Sequence, residues 1–259
     1  MNNKSIGFIG GGRITGIFLK AFANQNVEFD KIIVYDPNHE NLMKLKGSYP
    51  QIVTDSNTLD DAAKCDTVFI AVHPPVVIET LTKIIPFITD STMIVSLAPK
   101  ITIDKIKAAL NGFQNIARVN PSAGGVINQG INPVAFHEGV SKNQQEDLLK
   151  VLGILGKTPI VNETKIEGYA VISAMGPTYF WFQLQKLEEL ALKFGMDRDE
   201  AKDVISEMLK GTINTLFNSG IPYEEVMDLV PAKPISEYED LIKSVYNEKL
   251  NGIYEKIRP

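Results

Sequence analysis

The most constraining feature of this sequence is an apolar run that leads directly into three consecutive glycines. Residues 5–9 suit a buried strand, Gly10, Gly11 and Gly12 follow, and a helix-compatible segment begins near Arg13. Gly10 permits a tight turn, and Gly12 lets the backbone approach a ligand closely. The N-terminus of the helix offers free N–H groups to an anion such as a pyrophosphate. A strand, a glycine turn and a helix in this order predict a Rossmann-type dinucleotide site.

The fingerprint is incomplete, because its third glycine falls at Thr15 and a glycine follows only at position 16. A second predicted strand, residues 31–35, ends at Asp36, where a carboxylate can accept hydrogen bonds from the adenosine ribose. The same carboxylate would repel a 2′-phosphate, which favours NAD over NADP as the cofactor. Asp36 could instead be only a turn residue before Pro37.

Short apolar runs alternate with helix-compatible segments over the N-terminal part of the chain. The further runs predicted as strands are residues 67–72, 93–97, 116–119, 133–136 and 159–161, and helical spacing marks residues 14–22 and 77–88. This alternation predicts an α/β fold with a Rossmann-type doubly wound, mainly parallel sheet. We assign residues 1–162 to this dinucleotide-binding domain and residues 163–259 to a C-terminal all-helical domain.

Beyond Pro177 the sequence shows helical periodicity and no convincing strand. Gly195 and Gly220 stand where helices are expected to stop, and Asp197 stands where one is expected to begin. Residues 179–182 are apolar on every side of their helix. Such a helix is either buried in the core or packed between subunits, as in an interleaved dimer.

Composition excludes several classes of function. The net charge is −5 with no run of like charge, which argues against nucleic acid or an anionic membrane as a partner. Cys65 is the only cysteine, so no internal disulfide forms. The three histidines lie far apart without metal-ligand spacing, so we expect no metal site. Without a leader or a membrane-spanning stretch in the sequence, we expect a cytoplasmic protein.

Several segments resemble the pyrroline-5-carboxylate reductase family, in that family's order. They are residues 69–75 (its strand-four turn, usually Val-Lys-Pro), 95–98 (its Ser-x-Ala-Ala-Gly), 118–122 with Gly130 (its Arg-x-Met-Pro-Asn-Thr-Pro…Gly) and 173–179 (its Ser-Gly-Ser-Gly-Pro-Ala-Tyr). Gly195, Gly211 and Gly220 follow at the family's spacing. The Gly-Pro-x-Tyr opening before an aromatic helix is the most specific of these matches.

The resemblance implies a reductase of proline biosynthesis that uses NAD or NADP to reduce the C=N bond of a small cyclic imine. It also implies a homodimer or higher homo-oligomer assembled through the helical domain. From this resemblance together with the glycine fingerprint, we expect the cofactor to contact Gly10, Gly12, Arg13, Ile14, Asp36, Ala71, Val72, His73, Pro74 and Ala98. We expect the substrate to contact Pro121, Ser122, Ser173, Met175 and Lys233, with Ser173 and His73 as the catalytic candidates.

The substrate half of the site departs further from the family than the cofactor half. Residues 230–236 lack the glycines and threonines of the family's Thr-Ser-Pro-Gly-Gly-Thr-Thr segment, and prolines cannot donate backbone hydrogen bonds. Lys233 could meet a carboxylate there or be a solvated surface lysine. Pro99 and Lys100 replace the family's Ala-Gly, and His73 replaces its usual lysine.

The roles of two catalytic candidates, His73 and Ser173, and the function of the protein each have alternative interpretations. His73 could donate a proton or contact the cofactor, or it could be a strand-end histidine bonded to backbone. Ser173 could bind the substrate or cap the following helix. The alternatives to an imine reductase are a cofactor-binding, non-catalytic regulatory protein and a deazaflavin-dependent NADP reductase. The stretch between Lys165 and Lys186 contains no lysine, which argues against a β-hydroxyacid dehydrogenase.

Overall fold

The computed structural model describes residues 4–55 and 57–259. Its strands are β1 (Ser5–Ile9), β2 (Lys31–Tyr35), β3 (Val53–Asp55), β4 (Thr67–Ile70), β5 (Met93–Ser96), β6 (Ile116–Val119), β7 (Gly130–Ile131), β8 (Val134–Phe136) and β9 (Gly156–Lys157). The helices among and just after them are α1 (Arg13–Asn24), α2 (His39–Ser48), α3 (Asp60–Ala63), α4 (Pro74–Ile84), α5 (Ile103–Ala109), α6 (Lys142–Gly153) and α7 (Ile166–Tyr169). Short 3₁₀ turns cover Ala123–Ile127 and Glu163–Lys165, and Ala170–Ala174 forms a π-helical turn.

Seven strands form one sheet in the order β3-β2-β1-β4-β5-β6-β8. Neighbouring strands are parallel except β6 and β8, which are antiparallel. The strand order reverses direction between β1 and β4, and a doubly wound sheet binds its ligand at the carboxyl ends of the strands at such a point. The predicted fold class is therefore confirmed.

Apolar side chains cover both faces of this sheet. Successive strand residues alternate between the two faces, so that Phe8 packs with α1, α2 and α6, while its neighbour Ile9 packs with α3, α4 and α5. On the first face Phe8 stacks on Phe69 at 5.0 Å between ring centroids, and Phe18 lies 4.8 Å from Phe69. Fully buried rings of this kind contribute about 1.5–3 kcal/mol each to folding.

Most predicted strands and helices are present, with differences at their ends. The predicted strand at residues 159–161 is wrong: Ile160 makes only a single bridge to Val134. Pro159 has no N–H to donate, and Ile160 is exposed, so a longer ladder has no support there. The helix expected at residues 77–88 begins instead at Pro74 and ends at Ile84, two residues before Pro86.

The chain packs into two compact units. The first reaches as far as Met175 and also includes Ile253–Pro259, and the second is Gly176–Gly252. The predicted boundary at residue 162 lies before this division. The second unit holds α8 (Pro177–Lys193), α9 (Arg198–Asn218), α10 (Tyr223–Asp228) and most of α11 (Glu239–Ile257), with a 3₁₀ turn at Ser236–Tyr238.

The helix boundaries of the second unit agree with the sequence. Gly195 and Gly220 have φ of 97° and 74° and follow the ends of α8 and α9, a conformation that glycine adopts without strain. Asp197 caps α9 by accepting from the backbone N–H of Asp199 and Glu200, both at 2.9 Å. These contacts confirm the predicted stops and the predicted start.

The aromatic stretch of α8 lies on the surface of the second unit. Phe180, Trp181 and Phe182 are 51%, 57% and 66% exposed. The interpretation of this stretch as a helix buried within the chain is therefore wrong. Close by, Tyr179 and Phe182 of α8 and Leu241 and Val245 of α11 line an apolar groove of about 500 Å³.

Candidate functional site

The glycine turn after β1 is forced by its contact with the chain beyond β4. Gly10 has φ of 113°, and a Cβ added there would lie 2.5 Å from the carbonyl oxygen of Ala71. No side chain fits at that distance, because the neighbouring atom belongs to the backbone. The turn therefore brings the ends of β1 and β4 together at the point where the strand order reverses.

Gly12 differs from Gly10, because no contact among the described residues requires it to be a glycine. A Cβ at Gly12 would meet no atom within 4 Å, and its φ of −81° suits any residue. Helix α1 begins at the next residue with no side-chain cap and no acidic residue in its first turn. Open space beside uncapped N–H groups fits a pyrophosphate, so Gly10 and Gly12 with the Arg13–Ile14 start of α1 could hold one.

Thr15 explains the incomplete fingerprint. Its side chain is fully buried, and its hydroxyl donates to the carbonyl oxygen of Gly10 at 2.5 Å. Thr15 therefore braces the turn from within α1. Gly16 is not needed for close packing, since a Cβ there would meet, among the described residues, only Leu45 at an ordinary 3.9 Å.

Asp36 lies at the end of β2 with its carboxylate turned to the glycine turn. Oδ2 accepts from the backbone N–H of Gly11 at 2.7 Å and from the side-chain amide of Asn41 at 3.3 Å. Oδ1 accepts from the backbone N–H of Asn38 at 2.8 Å. A carboxylate offers about four lone-pair sites, so roughly one remains for a ribose hydroxyl. Asp36 is thus a turn residue as well as a candidate ribose ligand.

The ends of β4, β5 and β6 form the other half of this edge. The ladder pairs Ile70 with Ser96 and Ser96 with Arg118, so the residues that follow each strand lie side by side. In a doubly wound sheet this half faces the second mononucleotide of a dinucleotide. The residues placed there are Ala71, Val72 and His73 after β4, residues 97–100 after β5, and Asn120, Pro121 and Ser122 after β6.

His73 is the exposed residue just before α4, and Pro74 is the first residue of that helix. The His73 ring makes no hydrogen bond within the described part of the chain, so the bond to backbone that its alternative interpretation required is not found. Ala98 is buried. The expected cofactor residues of this half therefore share one edge, with His73 as its exposed side chain after β4.

Ser122 is committed to the turn that it begins. Its backbone N–H donates to Oδ1 of Asn132 at 3.1 Å, and its hydroxyl oxygen accepts from the N–H of Ile131 at 2.9 Å. The side chain is only 3% exposed. Pro121 is also buried. Both residues therefore shape the loop after β6, and Ser122 keeps one hydroxyl hydrogen that can be donated.

Asn120 is a polar residue at this edge that the sequence reasoning passed over. Its backbone N–H donates to Pro133, but its side-chain nitrogen is buried without a hydrogen-bond partner among the described residues. An unpaired buried amide is costly to the folded protein. The available indication was an asparagine in the position where the resembling motif has methionine.

Arg118, in strand β6, holds that strand through a buried ion-pair cluster. Its side chain is 1% exposed and donates to Oε1 of Glu163 at 2.9 Å and to Oε1 of Glu167. Glu163 Oε1 also accepts from the backbone N–H of Ile103 at 2.7 Å, the first residue of α5. This buried cluster joins β6, α5 and the segment that leads into α7, and sequence reasoning missed it because the two glutamates follow Arg118 by 45 and 49 positions.

Ser173 lies in the π-helical turn, and its hydroxyl donates to the carbonyl oxygen of Tyr169 at 2.7 Å. It does not cap α8, whose preceding residue is Gly176. Met175 ends the turn, with its N–H bonded to the carbonyl oxygen of Ala170 at 3.0 Å. Single π-turns inside helices are frequent at functional sites.

Lys233 lies in the second unit, in the exposed segment between α10 and the 3₁₀ turn at Ser236–Tyr238. Its ammonium has no ion pair among the described residues. Within the described residues, no group of histidine, cysteine and acidic side chains is arranged to hold a metal ion. None of the described helices combines the length and the hydropathy that a membrane span requires.

Two family models match separate parts of the chain. One, described as NADP oxidoreductase, coenzyme F420-dependent, matches residues 5–100. The other, described as pyrroline-5-carboxylate reductase dimerisation, matches residues 163–233. The two matches cover most of the sheet edge described above and the helical part, respectively.

Curated relatives share about a quarter of their residues with the chain. It is 25% identical to the pyrroline-5-carboxylate reductase of Haemophilus influenzae over 82% of this chain and 78% of that protein. It is 25% identical to the Escherichia coli enzyme of the same name over 88% of this chain and 84% of that protein. The Pseudomonas aeruginosa enzyme matches at 24% over 99% of this chain and 93% of its own.

Solved structures share the fold along the whole chain. The pyrroline carboxylate reductase of Plasmodium falciparum, solved with NADP bound, superposes with a TM-score of 0.79 at 19% identity, covering 99% of this chain and 96% of that one. The enzyme from Streptococcus pyogenes gives 0.80 at 17% identity, covering 100% and 99%. A prephenate dehydrogenase from Aquifex aeolicus gives 0.59 at 14% identity, covering 99% of this chain and 88% of that one, so it shares the general architecture. Together with the ordered motifs, these matches support the resemblance of the chain to the pyrroline-5-carboxylate reductase family.

Proposed function

We propose that this protein is an NAD(P)H-dependent reductase that acts on the C=N bond of a small cyclic imine. The observation that carries the proposal is the open space at Gly12 beside the uncapped start of α1, in a chain whose curated relatives are named pyrroline-5-carboxylate reductase. The glycine turn supplies a site for the cofactor, and the relatives supply the reaction class.

Among the two nicotinamide cofactors we favour NAD. The Asp36 carboxylate is fixed by Gly11 and Asn38 at the end of β2, where the adenosine ribose is expected. A 2′-phosphate placed there would meet this carboxylate at close range and be repelled. The NADP in the Plasmodium falciparum structure belongs to that protein, and tight NADP binding here would refute our preference.

The residues of this edge suit a reaction that depends on orientation. Bound nicotinamide would supply the hydride. Gly10, Gly12 and Ala98 let the cofactor lie close to the backbone, and positioning of this kind can account for much of the rate. His73 is exposed at the edge and could hand a proton to the nitrogen, and Ser173, whose oxygen keeps a free acceptor position, could orient the substrate.

We also propose a homodimer or higher homo-oligomer built through the helical unit. A match to a dimerisation family supports assembly. The exposed aromatic residues of α8 support it too, because large apolar side chains left exposed together mark contact sites. The cytoplasmic location stays a prediction.

The test is a steady-state assay of the purified protein with NADH and with NADPH against three imines. Suitable imines are 1-pyrroline-5-carboxylate, its six-membered homologue and 1-pyrroline. We expect NADH oxidation with at least one of them, at a higher kcat/KM than with NADPH. No oxidation of either cofactor with any imine would refute the proposed reaction.

Assays on the same purified protein distinguish two alternative functions from imine reduction. The first alternative is transfer of a hydride between a deazaflavin and NADP, because residues 5–100 match a model of F420-dependent NADP oxidoreductases. Reduction of NADP by a reduced deazaflavin, with no imine turnover, would support it. Tight NADH binding without turnover of imine or deazaflavin would instead support a regulatory, non-catalytic protein.

A further inference from the structure

Lys100 holds a backbone conformation that its residue type disfavours. Its φ is 69°, in the left-handed region. The other non-glycine residues with positive φ among those described are all asparagines, Asn26, Asn111 and Asn128. Asparagine tolerates this region, whereas a lysine there is strained by its Cβ. A strained residue at a ligand edge points to a role for its side chain.

The strained turn stands at the edge where the reaction is expected. Lys100 follows β5, which lies between β4 and β6 in the sheet. The segments that follow these strands, residues 71–74, 97–100 and 120–122, contain no other lysine or arginine. The ammonium of Lys100 is therefore the one permanent positive charge that this half of the edge provides.

That charge is free to bind a ligand. Lys100 is exposed, and it has no hydrogen bond or ion pair among the described residues. Arg118, one strand away, is in the opposite state, because Glu163 and Glu167 neutralise it and its side chain is buried. Only Lys100 thus remains on these strand ends to balance an anion.

The order of the strands separates Lys100 from the expected position of the cofactor's pyrophosphate. That group is expected at the start of α1, after β1, and β5 lies two strands from β1 in the sheet. Two strand spacings amount to about 10 Å, so an anion held near the end of β5 is closer to Lys100 than one held at the start of α1. The second half of a dinucleotide presents a neutral carboxamide there, so the anionic group comes from the substrate.

We propose that Lys100 determines substrate specificity by binding a carboxylate of the imine through its ammonium group. This inference rests on the proposed imine reduction. Lys100 contributes binding and orientation only, and it takes no proton from the reaction. The substrate class that follows is a cyclic imine carrying a carboxylate close to the C=N bond, in preference to the same ring without it.

The test compares Lys100→Gly with wild type on 1-pyrroline-5-carboxylate and on uncharged 1-pyrroline. Glycine keeps the positive φ, so the variant should fold with an equal or higher Tm. We expect KM for the carboxylate-bearing imine to rise about 10- to 100-fold, the effect of losing one hydrogen bond to a charged group. The kinetics with 1-pyrroline and the Kd for NADH should stay the same.

Two further variants sharpen the comparison. Lys100→Arg keeps the charge and should retain most of the affinity for the carboxylate-bearing imine. Lys105→Ala removes an exposed charge of the same sign from α5, also without an ion pair among the described residues, and should leave KM unchanged. In wild type, KM should rise with ionic strength, and this dependence should disappear in Lys100→Gly.

The proposal is overturned if Lys100→Gly leaves KM unchanged, raises it equally for both imines, or weakens NADH binding instead. A wild-type protein that turns over no imine would refute the proposed function separately. In that event L-proline titrated into the NAD-bound protein still tests Lys100. Binding that Lys100→Gly abolishes would support the carboxylate contact, and binding equal in both proteins would reject it.

Discussion

Replacing Arg118 with methionine should destabilise the first unit more than any surface change. The Arg118 side chain is 1% exposed. Its Nη2 donates a hydrogen bond to Glu167, whose side chain is 2% exposed. The substitution leaves the Glu167 carboxylate buried without a counter charge. Removing one partner of a buried ion pair costs about 3–5 kcal/mol. At about 2–4 °C per kcal/mol for chains of this size, Tm should fall by about 6–20 °C.

Thermal and urea unfolding of wild type and variants measure this loss. Glu163→Gln is the matched control, because the amide oxygen can still accept from Arg118 and Ile103 and Glu163 is 28% exposed. We expect it to lose only about 1 kcal/mol. The double variant Arg118→Met with Glu167→Leu should recover part of the stability, since apolar replacement of both charges is often close to neutral. An Arg118→Met protein within about 1 kcal/mol of wild type would refute the reasoning.

Three other predictions concern the glycine turn, the cysteine and the helical unit. Gly12→Ala should fold like wild type yet bind NADH at least about tenfold more weakly, whereas Gly10→Ala should lower Tm because its Cβ would meet Ala71; equal Tm values would contradict this contrast. Burial raises the pKa of the Cys65 thiol to about 11, so at pH 8 about one native thiol in a thousand is ionised and a disulfide reagent should react only as the protein unfolds. The unfolded thiol ionises near pH 8.5. The stability that the protonated, buried thiol contributes is therefore complete below about pH 8.5 and is lost as the pH rises through the folded pKa of about 11. Rapid labelling of native protein at pH 8 would count against this prediction. Trp181→Asp should shift the protein toward monomer in light scattering, and an unchanged mass would argue against assembly through α8.

The sheet could be predicted from the sequence because its strands are buried on both faces. Such strands are continuous apolar runs, and β1, β2, β5 and β6 stand where those runs predict them. The three-residue strand β3 was not predicted, because its one apolar residue, Val53, is exposed and gives no apolar run. The run at residues 159–161 looks like a strand by composition alone, but Pro159 and an exposed Ile160 prevent a ladder.

The sequence predicts only those site residues whose position follows from the order of strands and helices along the chain. Gly10, Gly12 and Asp36 could be placed at one edge because a strand precedes each part of the pattern. The bond from Gly11 to Asp36, the φ of Lys100 and the unpaired amide of Asn120 depend on three-dimensional contacts and leave no periodic trace. Whether residues 179–182 are buried depends on how the other helices pack, which helical spacing does not determine.

The shared duty of Asp36 limits how this protein could change its cofactor preference. Exchanging NAD for NADP in such folds requires the acidic residue after the second strand to give way to a neutral or basic one. Here a basic residue at position 36 would also leave the N–H of Gly11, 2.7 Å from the carboxylate, without its acceptor. An asparagine could still accept through its amide oxygen. An evolutionary or engineered route to NADP therefore has to keep an acceptor for Gly11 at position 36 or supply another one, or it damages the turn that any dinucleotide needs.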